Sequence, residues 1–266
     1  MSVTVIIPFY NAQKYIGEAI ESCLIQKEVS QIILVNDGSN DQSYSIAKIF
    51  ALKNKSISIL SHPRNQGRAM ARNTGLLEVT TPFFSFLDAD DYYLDSRFEN
   101  SLIALQNDPS IDGIYESVKS LYETSHTSGT INETTMINEK INPDHLFEYL
   151  VLGKGYFSLI GCTFRSSVIN ENLLFDPFFE IGEDTDWIWR LASEKTLKSL
   201  HNIPKVIRRV HSQNSYSNRK IVNKWKYKFY KKWNQRVEEY RLNESMKTKL
   251  KKSYRHFTLK YFLPFY

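Results

Sequence analysis

The sequence predicts an α/β fold with a mostly parallel central sheet flanked by helices. Three observations lead there. Over the first ninety residues, short β-branched or aromatic runs alternate with stretches of helical periodicity. Polar clusters fall just after three of the strands, where ligands bind in such sheets. Hydrophobic residues make up 42% of the 266, enough for a packed core and too many for a disordered chain.

Val3 to Phe9 is a β-branched run and reads as the first strand. Tyr15, Ile16, Ala19, Ile20, Cys23 and Leu24 keep helical spacing across residues 15–26. Gln31 to Val35 is a second strand, followed by Asn36-Asp37-Gly38-Ser39. Asp41 can cap a helix through Ile46, Ala47 and Phe50. Ser56 to Leu60 is a third strand and Gly67 to Val79 a third helix. Phe83 to Leu87 alternates little and reads as a strand buried on both faces. After about residue 110 the pattern changes. Ile111 to Glu123 reads as one longer strand, and residues 125–140 as a hairpin or loop turning at Gly129. A short helix over 143–152, a strand over 160–164 and a helix over 165–171 follow. Gly182 opens a helix with an acidic first turn, and Val206 to Val210 is a last strand ending at His211.

The tail reads as two helices. Ile221, Trp225, Phe229, Trp233, Val237 and Tyr240 recur at steps of three or four, and Met246, Leu250, Tyr254, Phe257 and Tyr261 repeat the stripe. From Arg219 to Lys260 there are 15 Lys/Arg against 3 Glu, whereas the rest of the chain has 19 basic and 26 acidic residues. An acidic body over 1–217, in halves 1–110 and 111–217, is thus joined to a basic aromatic tail over 218–266. The tail's stripe either packs on the body or another subunit, or lies on an anionic membrane surface through residues 219–260. Its helical aromatics do not form the exposed platform of a nucleic-acid binder, so no nucleic acid is expected. A homo-oligomer is compatible with the sequence. Cys23 and Cys162 lie far apart in apolar contexts without metal-ligand spacing, as expected of reduced, buried thiols in a cytoplasmic protein. The start of the chain lacks the basic flank and length of a signal peptide, and no run is long enough to cross a bilayer. A peripheral place on the inner face of the cell membrane agrees with both expectations.

Asp88-Ala89-Asp90-Asp91 ends the buried fourth strand. Carboxylates crowded there repel, and either take up protons or share a cation. Hard oxygen ligands favour Mg²⁺ or Mn²⁺, commonly shared with a substrate's phosphates. A nucleotidyltransferase would also join such a site to a nucleotide-binding sheet. It would usually add a Gly-rich, Lys-containing phosphate loop near the N-terminus, and none is present.

Five motifs in order resemble the inverting family 2 glycosyltransferases of GT-A (Rossmann-like) fold: Val5-Ile6-Ile7-Pro8-Phe9-Tyr10-Asn11, Val35-Asn36-Asp37-Gly38-Ser39, Arg64-Asn65-Gln66-Gly67 with Ala71-Arg72-Asn73-Thr74-Gly75, Asp88-Ala89-Asp90-Asp91, and Glu183-Asp184-Thr185-Asp186. The resemblance spans roughly residues 3–217. It implies a UDP-sugar donor whose base and ribose lie against Pro8, Tyr10 and Asn11, with Asp37 accepting the uracil imide N–H. Asn65 and Gly67 precede a small-residue helix that lets backbone approach the nucleotide, and Ala89 belongs to the same nucleotide wall. Arg68 and Arg72 face the base or diphosphate, or are solvated helix residues. Asp88 reaches the ribose and metal-bound water, Asp90 ligates the metal, and Asp91 supports them or caps a helix. His211, in an Arg-x-His-x-x-x-Ser region running to Ser215, completes the metal shell or contacts the diphosphate, and Arg208 or Arg209 neutralises phosphate. Asp184 is the implied general base, with Glu183 orienting acceptor hydroxyls. Trp187 and Trp189 form either a platform for an acceptor sugar or core. The Gln-x-x-Arg-Trp motif of processive synthases is absent, which implies single-sugar transfer to a glycan or lipid-linked saccharide.

Overall fold

The structure is a computed structural model. It describes residues 1–124, 127–134, 141–200, 203–211, 219–240 and 242–262. The first half alternates as the sequence implies: β1 (Val3–Phe9), α1 (Ile16–Leu24), β2 (Val29–Asn36), α2 (Ser43–Lys53), β3 (Ile57–Ser61), α3 (Arg68–Leu76) and β4 (Phe83–Phe86). Then come β5 (Tyr92–Tyr93), α4 (Glu99–Asn107), β6 (Gly113–Glu116), β7 (Val118–Thr124), β8 (Thr127–Thr134), α5 (Leu146–Val151), β9 (Cys162–Arg165), α6 (Glu183–Glu194), β10 (Leu197–Leu200), β11 (Val206–Val210), α7 (Arg219–Gln235) and α8 (Glu244–Phe262).

Seven strands form the main sheet in the order β10-β6-β9-β4-β1-β2-β3. Only β9 runs against its neighbours. β1 lies at the centre of the nucleotide half, parallel to β2 and β4. Its side chains alternate between two cores: Val3, Val5 and Ile7 pack with α1, while Ile6 packs with α3, Phe84 and Phe86. Burial on both faces explains why β1 and β4 read as continuous apolar runs. Gly75 lets α3 approach β1 closely, since a Cβ there would fall 2.4 Å from Ile6 Cγ2. The small residues of α3 therefore serve helix–sheet packing, and only Ala71 among them reaches the cleft described below. Because β1, β2 and β4 are parallel, the segments after them emerge at the same sheet edge.

Three expectations need correction. The long strand over 111–123 is two strands in different sheets. β6 stays in the main sheet, and β7 joins the four-stranded sheet β5-β11-β7-β8. Glu116, the last residue of β6, forms a buried ion pair with Arg97. Gly129 lies inside β8, which pairs with β7 from Thr124↔Thr127 onward. Residues 165–171 form no α-helix, only single 3₁₀ turns at Ser166–Val168 and Glu171–Leu173. There Ser166 Oγ donates to Thr81 O, and Asn170 Oδ1 accepts from the amides of Asn172 and Leu173. Local polar side chains have captured the backbone groups a helix would use.

α7 and α8 form a hairpin, with Tyr230 stacked on Phe257 at 5.5 Å and Tyr227 on Tyr261 at 4.9 Å. Phe229, Trp233, Met246 and Leu250 are buried in the same apolar cluster as Phe84 and Trp187. The boundary expected at 217 is therefore not a break in the core, and most of the aromatic stripe faces the body. Cys23 and Cys162 are buried and unpaired. Among the described residues, no helix is long and apolar enough to cross a membrane.

Candidate active site

Where β1, β2 and β4 end, a cleft of about 480 Å³ opens. Pro8, Tyr10, Asn11, Asp37, Asn65, Gly67, Arg68, Asp88, Ala89, Asp90 and His211 line it, as do Asp91, Arg208 and Arg209. Arg72, Glu183, Asp184, Trp187 and Trp189 do not.

The loops after β1 and β2 are laced together. Asn11, at φ +50°, accepts from the Asn40 amide at 3.0 Å and donates its own amide to Ser39 Oγ at 3.1 Å. Asn36 Oδ1 accepts from the Ser39 amide at 3.0 Å. Asp37 Oδ1 accepts from the Gln66 amide at 2.8 Å, and its Oδ2 from Gly67 at 2.9 Å. Gly38 makes that closeness possible. Its φ is +71°, and a Cβ would fall 2.6 Å from the Arg64 carbonyl carbon. Tyr10 is 46% exposed at the rim, available to a planar base.

The floor is acidic. Oxygens of Asp88, Asp90 and Asp91 lie within 4.8 Å of one another. Burial, and then the neighbouring carboxylates, pushes Asp90 and Asp91 above the usual carboxylate range. Burial acts the same way on Asp88, but the guanidinium of Arg72, then that of Arg68, outweighs it and holds this carboxyl low. His211 Nε2 lies 3.1 Å from Asp90 Oδ2, and its ring stacks on Tyr15 at 5.2 Å. Asp91 caps no helix. It is buried, and accepts the Arg209 amide at 2.7 Å, tying β11 to the floor. Arg209 in turn donates to Asp90 O at 2.8 Å and lies over Tyr92. A set of hard oxygens whose charges are poorly compensated, with an imidazole beside them, fits a divalent cation.

The acidic helix start meets this floor through Arg72. Its Nη2 donates to Asp88 Oδ1 at 2.7 Å and its Nη1 pairs with Glu183. Arg72 is buried, so it is not the solvated helix residue that was one expectation for it, and unlike Arg68 it does not line the cleft. Glu183 is also buried, so it links α6 to Asp88 and does not present itself to an acceptor. Burial raises its carboxyl above the ordinary range despite Arg72. Asp184 is half-buried, accepts from the Thr185 amide at 2.7 Å, and acts electrostatically on Arg72.

Trp187 and Trp189 are core residues, not an acceptor platform. Trp187 stacks on Phe175 at 4.9 Å and donates to Leu173 O at 2.5 Å; Trp189 packs edge-on against Phe229 and Trp233. Their helical spacing reports the inner face of α6. α7 braces the same helix: a Cβ on Gly182, at φ +84°, would fall 1.7 Å from the Trp225 indole. Asp186 accepts from Lys232 Nζ at 2.8 Å, Trp233 Nε1 at 3.2 Å and Arg190 Nε at 2.9 Å. The sequence reading missed Tyr15 and Glu180, which also line the cleft, and His62, which contacts Asp37. Only Tyr15 carried a signal, as an aromatic at the start of a helix entering from a strand-end loop. The residues after His211, including Ser215, lie outside the described residues.

A family model described as glycosyl transferase family 2 matches residues 4–168. Among curated proteins, the chain is 29% identical over 201 residues to the minor teichoic acid biosynthesis protein GgaB of Bacillus subtilis, covering 72% of this chain and 21% of that protein. It is 31% identical over 186 residues to glycosyltransferase GlyA of Streptococcus pneumoniae, covering 68% and 22%. An uncharacterized glycosyltransferase of Haemophilus influenzae is 38% identical over 107 residues, covering 40% and 43%. The matched stretches thus span less than half the length of each of these relatives. Among solved structures, residues 1–349 of S. aureus TarS with UDP-GlcNAc align at TM-score 0.72 and 18% identity, covering 98% of this chain and 73% of that one. The mannosyltransferase PcManGT from Pyrobaculum calidifontis with GDP-Man and Mn²⁺ aligns at 0.64 and 16%, covering 98% and 70%. At these identities the structural likeness establishes the fold.

Proposed function

The chain belongs to glycosyl transferase family 2, and on that premise we propose that it transfers one sugar, with inversion, from a UDP-sugar to a glycan or lipid-linked saccharide. The observation that carries this reading is one cleft lined by Asp37 after β2 and by Asp88, Asp90 and Asp91 after β4, on either side of β1. One side can hold a base and the other a diphosphate. Asp37 accepts the uracil imide N–H while Tyr10 and Pro8 flank the ring. Asp88, Asp90 and His211 would hold Mn²⁺ or Mg²⁺, which when bound would supply positive charge for the departing diphosphate. Arg68 and Arg208, both lining the cleft, add to that charge. Asp184 takes the proton of the acceptor hydroxyl as its oxygen attacks the anomeric carbon in line with the leaving phosphate. Arg72 keeps Asp88 ionised and holds the start of α6 against the donor floor.

The acceptor class follows the relatives, one of which is a teichoic acid biosynthesis protein; a hexose or N-acetylhexosamine added to a bacterial surface polymer is the corresponding reaction. The hairpin adds a place for it to happen. Residues 219–237 and 245–262 contain no Asp or Glu, and Ile221, Leu259 and Phe262 are exposed where the hairpin ends. Lysines around exposed apolar side chains suit an anionic bilayer carrying a lipid-linked acceptor. Sedimentation with phosphatidylglycerol vesicles, set against phosphatidylcholine, tests this placement; equal recovery with both refutes it.

The transferase reading is tested by donor hydrolysis across UDP-sugars with Mn²⁺. At least one sugar should be released at a rate that Asp90→Ala abolishes. No release from any UDP-sugar, with no UDP binding, removes the assignment.

A further inference from the structure

Asp37 is better defined than a lone carboxylate in a loop. A carboxylate offers about four lone-pair positions. The Gln66 amide takes one on Oδ1 at 2.8 Å and the Gly67 amide one on Oδ2 at 2.9 Å. A third is taken by His62 Nδ1, 2.7 Å from Oδ1. His62 Nε2 lies 2.9 Å from Thr74 Oγ1 on α3, so both ring nitrogens are held. The carboxylate can only accept, so Nδ1 carries a proton, and in the neutral ring Nε2 accepts from the Thr74 hydroxyl. The His62 and Asp37 side chains are 9% and 5% exposed, so water does not loosen these bonds. Gly38 presses against the Arg64–Asn65 backbone, and Gly67 sits at φ +90°, so the donating amides are fixed against Asp37.

We propose that His62, together with the Gln66 and Gly67 amides, leaves Asp37 one open acceptor position, on Oδ2, and so makes the cleft selective for a base with a single N–H donor between acceptors. Uracil has that pattern. Guanine presents two adjacent N–H donors and would need both carboxylate oxygens, but Oδ1 is already filled. Cytosine presents a bare ring nitrogen and meets a carboxylate lone pair. A buried donor or acceptor left unmatched is what makes such discrimination strong. His62 is a specificity-positioning residue that acts through Asp37 without touching the base. This inference rests on the assignment of Asp37 to the base.

The test is to titrate UDP and pseudoisocytidine 5′-diphosphate, with Mn²⁺, into the wild-type chain and into His62→Phe. Linked to ribose through C5, this base carries guanine's paired donors, N3–H beside a 2-amino group, in its 3H tautomer on a ring of uracil's size, so steric exclusion of a purine does not enter. The wild type should bind UDP at least about tenfold more tightly, as expected for one mismatched hydrogen bond to a charged group. In His62→Phe the ratio should fall toward unity while UDP still binds. A structural role alone would weaken both ligands alike and leave the ratio unchanged, which overturns the proposal. Should His62→Phe fail to fold, His62→Leu carries the test. Leucine likewise offers Oδ1 no donor, so the ratio must again fall; an unchanged ratio is again fatal. Asp37→Asn separates the two levels of the argument. If it binds UDP like the wild type, the assignment of Asp37 to the base fails. If it binds UDP weakly while His62→Phe keeps the wild-type ratio, that assignment stands and the role of His62 falls.

Discussion

The two sides of the site are built differently. On the strand-end side, functional groups sit within a few residues of the ends of β1, β2 and β4, and the loops bond to one another across parallel neighbours, as Asn11 does to Ser39 and Asn40. On the α6 side, the groups depend on partners distant in sequence. Glu183 pairs with Arg72, 111 residues away, and Asp186 with Lys232, 46 residues away. The Gly182 turn is closed by Trp225. The first side is a property of the sheet. The second is a property of how α3, α6 and α7 pack, so it should fail separately.

The largest effect should come from the chemistry itself. Asp184→Asn is expected to lower transfer by about a thousandfold, near 4 kcal/mol in barrier, while UDP affinity stays within twofold. Steady-state rates beside a UDP titration check it, and a parallel loss of binding would merge the two sides. Next is the brace. Trp233→Ala empties a fully buried site and removes a donor from Asp186. It should cost about 3–5 kcal/mol of stability, read from denaturant unfolding. A loss under 1 kcal/mol would mean the hairpin is not part of the core. Gly182→Ala introduces a Cβ at positive φ against Trp225. It should cost about 2 kcal/mol and lower kcat more than UDP affinity, because the strain falls on the helix bearing Asp184. Equal losses in both would contradict the separation.

The smallest effect is on pH. Asp90, Asp91 and Glu183 have raised pKa values in the folded protein, and Asp88 a lowered one. A raised carboxyl pKa means that the folded state keeps protons the unfolded chain has released above about pH 4. Stability contributed by the three raised groups is therefore present at low pH and lost as pH rises through their folded values. Asp88 opposes this with stability that is lost as pH falls. A lowered carboxyl such as Asp88 titrates below about pH 4 and so does not act between pH 5 and 7.5, where the raised groups lose their protons; the ligand-free chain should therefore melt higher near pH 5 than near pH 7.5. Mn²⁺ with UDP should flatten the difference. A melting temperature that rises with pH in the ligand-free chain would contradict these shifts.

The same contrast governs what could be read from the sequence. β1, β2 and β4 declare themselves as apolar runs, and the polar clusters after them follow from parallel topology. Asp37 and Asp90 accordingly line the cleft, whereas His211, which the family resemblance singled out, lines it from the end of β11. Arg72 was misplaced because nothing around it in sequence reveals that Asp88 and Glu183 close over it. Trp187 and Trp189 looked available because their helical spacing marks one face without saying what covers it. α7, whose stripe the sequence left between the body and a membrane surface, supplies that cover. His62 carried no local signal, since its role exists only once β2, β3 and α3 are assembled.

The central claim is that the strand-end side binds a nucleoside diphosphate together with a divalent cation. Calorimetric titration of UDP into the chain, with and without Mn²⁺, tests it most directly. At least tenfold tighter binding is expected with Mn²⁺, and loss of that gain in Asp90→Ala. UDP affinity that ignores Mn²⁺ in the wild type, or a gain that survives in Asp90→Ala, would contradict it.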